Sequence, residues 1–214
     1  MAATMTDAEK ALSETWHEHI AAEFAAHSPD AAIHTMTGTP RVNQIPVMIG
    51  GDGRAQVCDF YSKHFLHQIP PDWEMTSVSR TIGQGRLVDE LLIKFTHTIA
   101  MDWMLPGVPP TGKRVEMALV VIVQFEGDKM AQENLYWDQA SVLVQLGLLD
   151  PEGLPVVGAE GARSVLDRSI PLNGLIARAH AARSRPTATS PASSPSGASA
   201  RRGRSRTARR ARRP

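Results

Sequence analysis

The chain has 214 residues, 42% of them hydrophobic, which suffices for one domain with a full core plus an appendage and is short for two ordinary domains. Its net charge of +1 hides an uneven distribution: residues 181–214 hold ten Arg and no acidic residue, leaving 13 basic against 22 acidic residues before them, a formal charge of −9. A single cysteine, Cys58, excludes an internal disulfide framework and any paired-cysteine metal site, and it fits a reducing compartment.

The opening "MAATMTDAEK" has neither the basic nor the apolar region of an export signal, and no stretch approaches 18 uninterrupted apolar residues, so a soluble, cytoplasmic protein is expected. A helix is predicted over residues 6–27. Thr6 followed by Glu9 makes a capping box, and Leu12, Trp16, Ile20 and Phe24 recur on one face. After "HSPD" comes an irregular stretch, "HTMTGTPRVNQIPVMIGGDG", where Pro and Gly allow only short strand or helix pieces. Asp52 is placed to cap a second helix carrying Val57, Phe60, Tyr61 and His64, which ends near "IPPDW".

From there the periodicity changes to two. "WEMTSVSRTI" and "RLVDELLIKFTHTI" flank the turn "GQGR"; "RVEMALVVIVQFE" and "KMAQENLYWD" flank "GD". Two hairpins, hence at least four antiparallel strands, follow the helices. Leu91, Ile93, Phe95 and His97 share one face of the second of these strands, and the third, apolar on both faces, reads as central. An α+β domain is predicted. Residues 181–214, rich in Ser, Pro, Ala and Arg, cannot bury enough apolar surface to offset the entropy of ordering and are expected to be disordered. That tail lacks aromatic residues for base stacking, so no specific nucleic-acid contact is expected of it.

"GVPPTGKRVE" followed by "FEGDKMAQENLYWDQASVLVQLGLL" resembles the SnoaL-like polyketide cyclase family of the nuclear transport factor 2-like superfamily. The matching positions are Pro109, Pro110, Thr111, Gly112, Glu133, Asp138, Gln145, Leu146 and Gly147, with Asn134 standing where the family usually has Trp. The resemblance implies a cone: a curved antiparallel sheet wrapped around N-terminal helices, with a pocket for a small apolar carbonyl-containing ligand at its open end. It also implies a homodimer packed through the sheet, chemistry without a cofactor, and Asp138 at the position of the catalytic acid/base. On this basis residues 1–150 form the cone domain, 151–180 an extension packed on it, and 181–214 the tail.

On the fourth strand of the two hairpins, Gln132, Asn134, Tyr136 and Asp138 share a face, with Glu133, Leu135 and Trp137 opposite. The first set could supply the polar groups of a pocket, with Tyr136 and Asn134 as ligand contacts; Glu133 would point inward instead if a bulge shifted the register. Asp138 has two readings. In an apolar pocket its carboxylate becomes basic enough to remove a proton beside a carbonyl, with His97 or Tyr136 stabilising the enolate. At a strand-to-helix junction it is an N-cap, which drives the pKa down.

Trp16 and Tyr61 are core residues that line the cavity if the helices sit inside a cone. His97, on an apolar strand face, is otherwise a satisfied core histidine, and Arg80 reads as a surface or sheet-edge charge. No metal site is expected. His17 and His19 diverge on their helix, and His64 and His67 have no carboxylate at ligand spacing. A phosphate-binding loop and a hydrolase nucleophile elbow are both missing. Two functions remain open: a SnoaL-like enzyme acting by acid/base catalysis on a carbonyl compound, through cyclisation, isomerisation or lactone chemistry, or a noncatalytic ligand-binding or dimeric interaction module of the same fold.

Overall fold

The computed structural model describes residues 5–184. Along the chain, two compact units divide between Leu175 and Ile176. The second contributes only helical chain to the described residues, and the predicted tail lies outside them from residue 185 onward.

Helix α1 spans Asp7–Phe24, closing short of the predicted residue 27. Its capping box is formed as expected: Thr6 Oγ1 accepts from the Glu9 N–H at 3.2 Å, and the Glu9 carboxylate accepts from the Thr6 N–H at 2.7 Å. Leu12, Trp16 and Ala22 are buried along it, and so are His19 and Glu23. Short α2, Pro29–His34, follows with Ser28 as cap and Pro in its first turn.

The stretch read as irregular forms a hairpin, β1 Met36–Gln44 with β2 Ile49–Asp52. Asp52 therefore ends a strand, where its carboxylate meets Arg41 at 3.2 Å, and the N-cap of α3, Arg54–Phe60, is Gly53 at φ 82°. Only a residue without Cβ enters a helix from that backbone region at low cost. Beyond Phe60 the helix widens to a π-helical turn, Tyr61–Phe65, then tightens into a 3-10 turn, Leu66–Gln68. That widened turn turns both Tyr61 and Phe65 into the core beside Phe60.

The two predicted hairpins are present as β3 Glu74–Gly83 with β4 Arg86–Thr96, and β5 Arg114–Glu126 with β6 Lys129–Trp137. The first turns through Gln84 and Gly85, both at positive φ, the conformation that matches strand twist in a tight hairpin. The six strands form one sheet in the order β2-β1-β6-β5-β4-β3, antiparallel except between β1 and β6. As predicted, β5, apolar on both faces through "ALVVIV", lies inside the sheet.

Alternate residues of β4 and β5, among them Leu87, Leu91, Ile93, Val115, Met117 and Val121, face inward and pack with α1 and the Phe60–Leu66 segment into one core. Helix α4, Gln139–Leu146, ends at Gly147, whose φ of 70° lets the Leu148 N–H return to the Leu143 carbonyl at 2.9 Å. Beyond it, α5, Ala159–Arg163, lies against the outer face of the sheet. Arg163 holds Glu116 of β5 through two bonds of 2.6 and 3.0 Å, and Ser141 Oγ donates to the Gly158 carbonyl at 2.8 Å. The last described helix, α6, is Gly174–Ser184. No described helix is long and apolar enough to cross a membrane.

Candidate functional site

The register of β6 decides which of its side chains enter the cone. At the hairpin end Phe125 opposes Met130, but further along Val123 opposes Glu133, so β6 carries one extra residue in between. This bulge exchanges the two faces of the strand. Beyond it Glu133, Leu135 and Trp137 lie opposite the inward-facing Val123, Val121 and Leu119. The face assignment expected from sequence is thus reversed: Asn134 and Tyr136 turn to the outer side, Tyr136 being 39% exposed. The alternation holds on either side of the displaced residue, and the alternative in which a bulge turns Glu133 inward is the one present.

Glu133 joins a group of polar side chains buried under the apolar wall. His19 is fully buried, with Nε2 3.2 Å from Glu23 Oε1, 3.2 Å from the Tyr61 hydroxyl and 3.9 Å from Glu133 Oε2. Its Nδ1 lies 2.7 Å from Thr35 Oγ1. The Thr35 hydroxyl already donates to the Ala32 carbonyl at 2.7 Å, so it must accept from His19. Nδ1 therefore carries a proton, and Nε2 is the nitrogen turned toward the two carboxyl groups.

Electrostatics follow from that geometry. Burial, reinforced by the charge of Glu23 and opposed by His19, pushes the Glu133 carboxyl up to about 8. Burial alone would lower His19, but the charge and hydrogen bond of Glu23 and the charge of Glu133 outweigh it and hold the imidazolium above its ordinary range. Tyr61 is driven well above the usual phenol value by burial and by both glutamates, and stays a neutral donor. At neutral pH Glu133 is thus a carboxylic acid beside the imidazolium of His19.

Glu23, Tyr61 and Glu133 form one side of an inward-facing cavity of about 30 Å³, space for roughly one or two waters. The rest of its wall is apolar, including Trp16, Phe24, Phe65 and Trp73. Gln44 also lines it, 1% exposed and with no partner for its Oε1. An unpaired buried acceptor is costly and marks a place where a ligand or water would be bound.

Trp16 and Tyr61 stand in this wall, as the cone reading expects. Trp16 also donates its indole N–H to Asp89 at 3.0 Å. Arg80, on the edge strand β3, meets the same buried Asp89 at 2.6 Å and His17 at 2.7 Å, so the expected edge charge is a partner in a buried pair. Asp138 is exposed and accepts from the Ser141 N–H at 3.1 Å, capping α4; it does not line the cavity. His97 is buried but lies outside the cavity wall. Its Nδ1 accepts from the Thr111 N–H at 3.4 Å, its Nε2 has no partner, and burial lowers its pKa. The structure does not bring Asp138 and His97 together with Trp16 and Tyr61.

His19, Glu23 and Glu133 were not singled out as a cluster from sequence. One signal was present: in "WHEHIAAEF" His19 and Glu23 are four residues apart on the stripe that also carries Trp16 and Ile20, an i,i+4 acid–base pair on a face that should be apolar.

No protein-family model matches the chain, and no curated relative matches it. Solved structures do. A candidate SnoaL-like polyketide cyclase from Jannaschia sp. CCS1 superposes with a TM-score of 0.56 at 16% identity, over 70% of this chain and 100% of that one. AclR, a candidate hydroxylase from Streptomyces galilaeus, matches at 0.50 and 19% identity over 66% and 88% of the two chains. TsrD from Streptomyces laurentii matches at 0.50 and 18% over 68% and 100%. The shared property at these identities is the fold, and the fold is the nuclear transport factor 2-like cone.

Proposed function

We propose that the chain is a small-molecule enzyme of the SnoaL-like type, performing general acid/base chemistry on an apolar carbonyl compound, by cyclisation, isomerisation or lactone chemistry. One observation carries this reading: a carboxyl, a phenol and a paired carboxylate converge on an apolar cavity at Glu133, Tyr61 and Glu23. The carbonyl oxygen of the ligand sits against the Tyr61 hydroxyl and the Glu133 carboxyl, both donors, where developing negative charge is stabilised away from water. Glu23 takes the proton from the adjacent carbon, and His19 balances its charge. A cavity of about 30 Å³ is too small for a ring, so a ring-sized ligand requires aromatic side chains of its wall, such as Phe24, Phe65 or Trp73, to move. Asp138 and His97 have no step in this scheme. The protein acts as a homodimer joined through the outer sheet face, where Val88 and Tyr136 are exposed.

The test is isomerisation of a β,γ-unsaturated cyclic ketone, followed by absorbance of the conjugated product. Glu133→Gln and Tyr61→Phe should lose turnover with the fold retained, while Asp138→Asn keeps it; undiminished turnover in Glu133→Gln overturns the scheme. The small volume of the cavity favours a second reading, a noncatalytic module of the same fold whose polar cluster only organises the core. On that reading none of these ketones is bound or turned over.

A further inference from the structure

The same buried cluster has a property that acid/base chemistry does not require. A neutral His19 with two ionised glutamates would carry a charge of −2 away from solvent, and a single divalent cation cancels it. Three donor atoms on two elements, α1 and β6, converge: His19 Nε2, one Glu23 oxygen and one Glu133 oxygen, all within 4.8 Å of one another. The spacings from Nε2, 3.2 and 3.9 Å, bracket the ligand-to-ligand distance of about 3.3 Å that a tetrahedral ion with bonds of about 2.0 Å imposes.

The outer shell is also of the right kind. Thr35 receives the His19 Nδ1 proton, which fixes the ring and leaves Nε2 as the ligating nitrogen, and Thr35 is itself anchored on Ala32. A second observation is independent of these three side chains. The buried Gln44 Oε1 lacks a donor and lines the same cavity wall as Glu23 and Glu133.

We propose that His19, Glu23 and Glu133 form a three-ligand site for one divalent first-row transition metal, with its open position toward the apolar cavity. One nitrogen and two carboxylate oxygens suit Zn2+ and its neighbours in the row. With the ion bound, the open position polarises a carbonyl oxygen directly instead of through donated protons. The site does not depend on the identity of the organic ligand or on turnover.

The experiment is calorimetric titration of the chelator-stripped full chain with Zn2+ alone, repeated on variants shown to be folded by circular dichroism. One equivalent per chain is expected. Affinity should fall at least about 10-fold in Glu133→Gln and in Glu23→Gln, by about 10-fold in Thr35→Val, and not at all in His64→Ala, which removes the surface His64–Asp102 pair. Loss of binding in His64→Ala with retention in Glu133→Gln, or no binding at all, overturns the site. Should the glutamate variants fail to fold, Co2+ loading of the wild-type chain decides: an intense visible band of a four- or five-coordinate ion supports it, and the weak spectrum of the hydrated ion overturns it. Because no organic ligand is added, failure here leaves the ketone assay unaffected, and failure there leaves this titration unaffected.

Discussion

Glu133 and Asp138 lie five residues apart on one strand and its exit, and their carboxyl groups experience opposite surroundings. Glu133 is 3% exposed, under an apolar wall and beside another glutamate, and its carboxyl is held up to about 8. Asp138 is exposed and accepts a backbone N–H of α4. The first environment opposes ionisation, whereas the second offers a backbone donor in contact with solvent. What separates them is burial and a single bulge in β6. A carboxylate at a strand-to-helix junction is drawn to the nearest unsatisfied helix amides, and only a residue held within the strand is carried into the cone.

The contrast can be tested most severely on turnover. Glu133→Gln should lower the rate of ketone isomerisation by about 10²- to 10⁴-fold, the range for removing a positioned acid or base, and Asp138→Asn should leave it unchanged. If Asp138→Asn is the variant that loses activity, the roles of the two carboxyl groups are exchanged. On stability, His19→Ala leaves the buried Glu23 without its partner at 3.2 Å and should cost about 3–5 kcal/mol in urea denaturation, the usual penalty for breaking a buried pair.

A smaller effect is a pH dependence, measured with chelator present. Since the native Glu133 titrates near 8 and the unfolded one near 4.5, between these values the unfolded chain releases a proton that the native chain keeps. Its contribution is therefore fully present below 4.5 and is lost as pH rises to 8. His19, also raised, acts in the same direction through its interactions with Glu23 and Glu133. Stability of the wild type relative to Glu133→Gln should fall from pH 5 to pH 8; a flat difference would mean that Glu133 is ionised in the fold. Smallest is Asp138→Ala, which removes a helix cap and should cost about 1 kcal/mol by thermal denaturation, with no change in ligand or metal binding.

Much of the fold was legible because its signals are local. The Thr6–Glu9 capping box, the Trp16 and Phe24 stripe, and the two hairpins with their Gly turns depend on residues within a few positions of each other. The β1–β2 hairpin was not legible, since Pro40, Gly50 and Gly51 read as breakers while its pairing partner, β6, is some ninety positions away. Of the candidate site, Trp16 and Tyr61 were found because they lie on apolar faces that any cone must enclose. Asn134 and Tyr136 are turned outward by the bulge, and of the two readings of Asp138 the helix cap is the one present.

By itself the sequence determined the class of the domain, the alternation along the four strands of the two long hairpins and the Thr6 cap of α1, because periodicity and capping are properties of neighbouring residues. Tertiary structure alone decided which side of β6 faces inward, and with it that Glu133 rather than Asp138 meets His19, Glu23 and Tyr61. Those four side chains come from α1, the π-helical turn after α3 and β6. Their shared burial, which sets both the proton on Glu133 and the affinity for a cation, exists only once the sheet has closed over the helices.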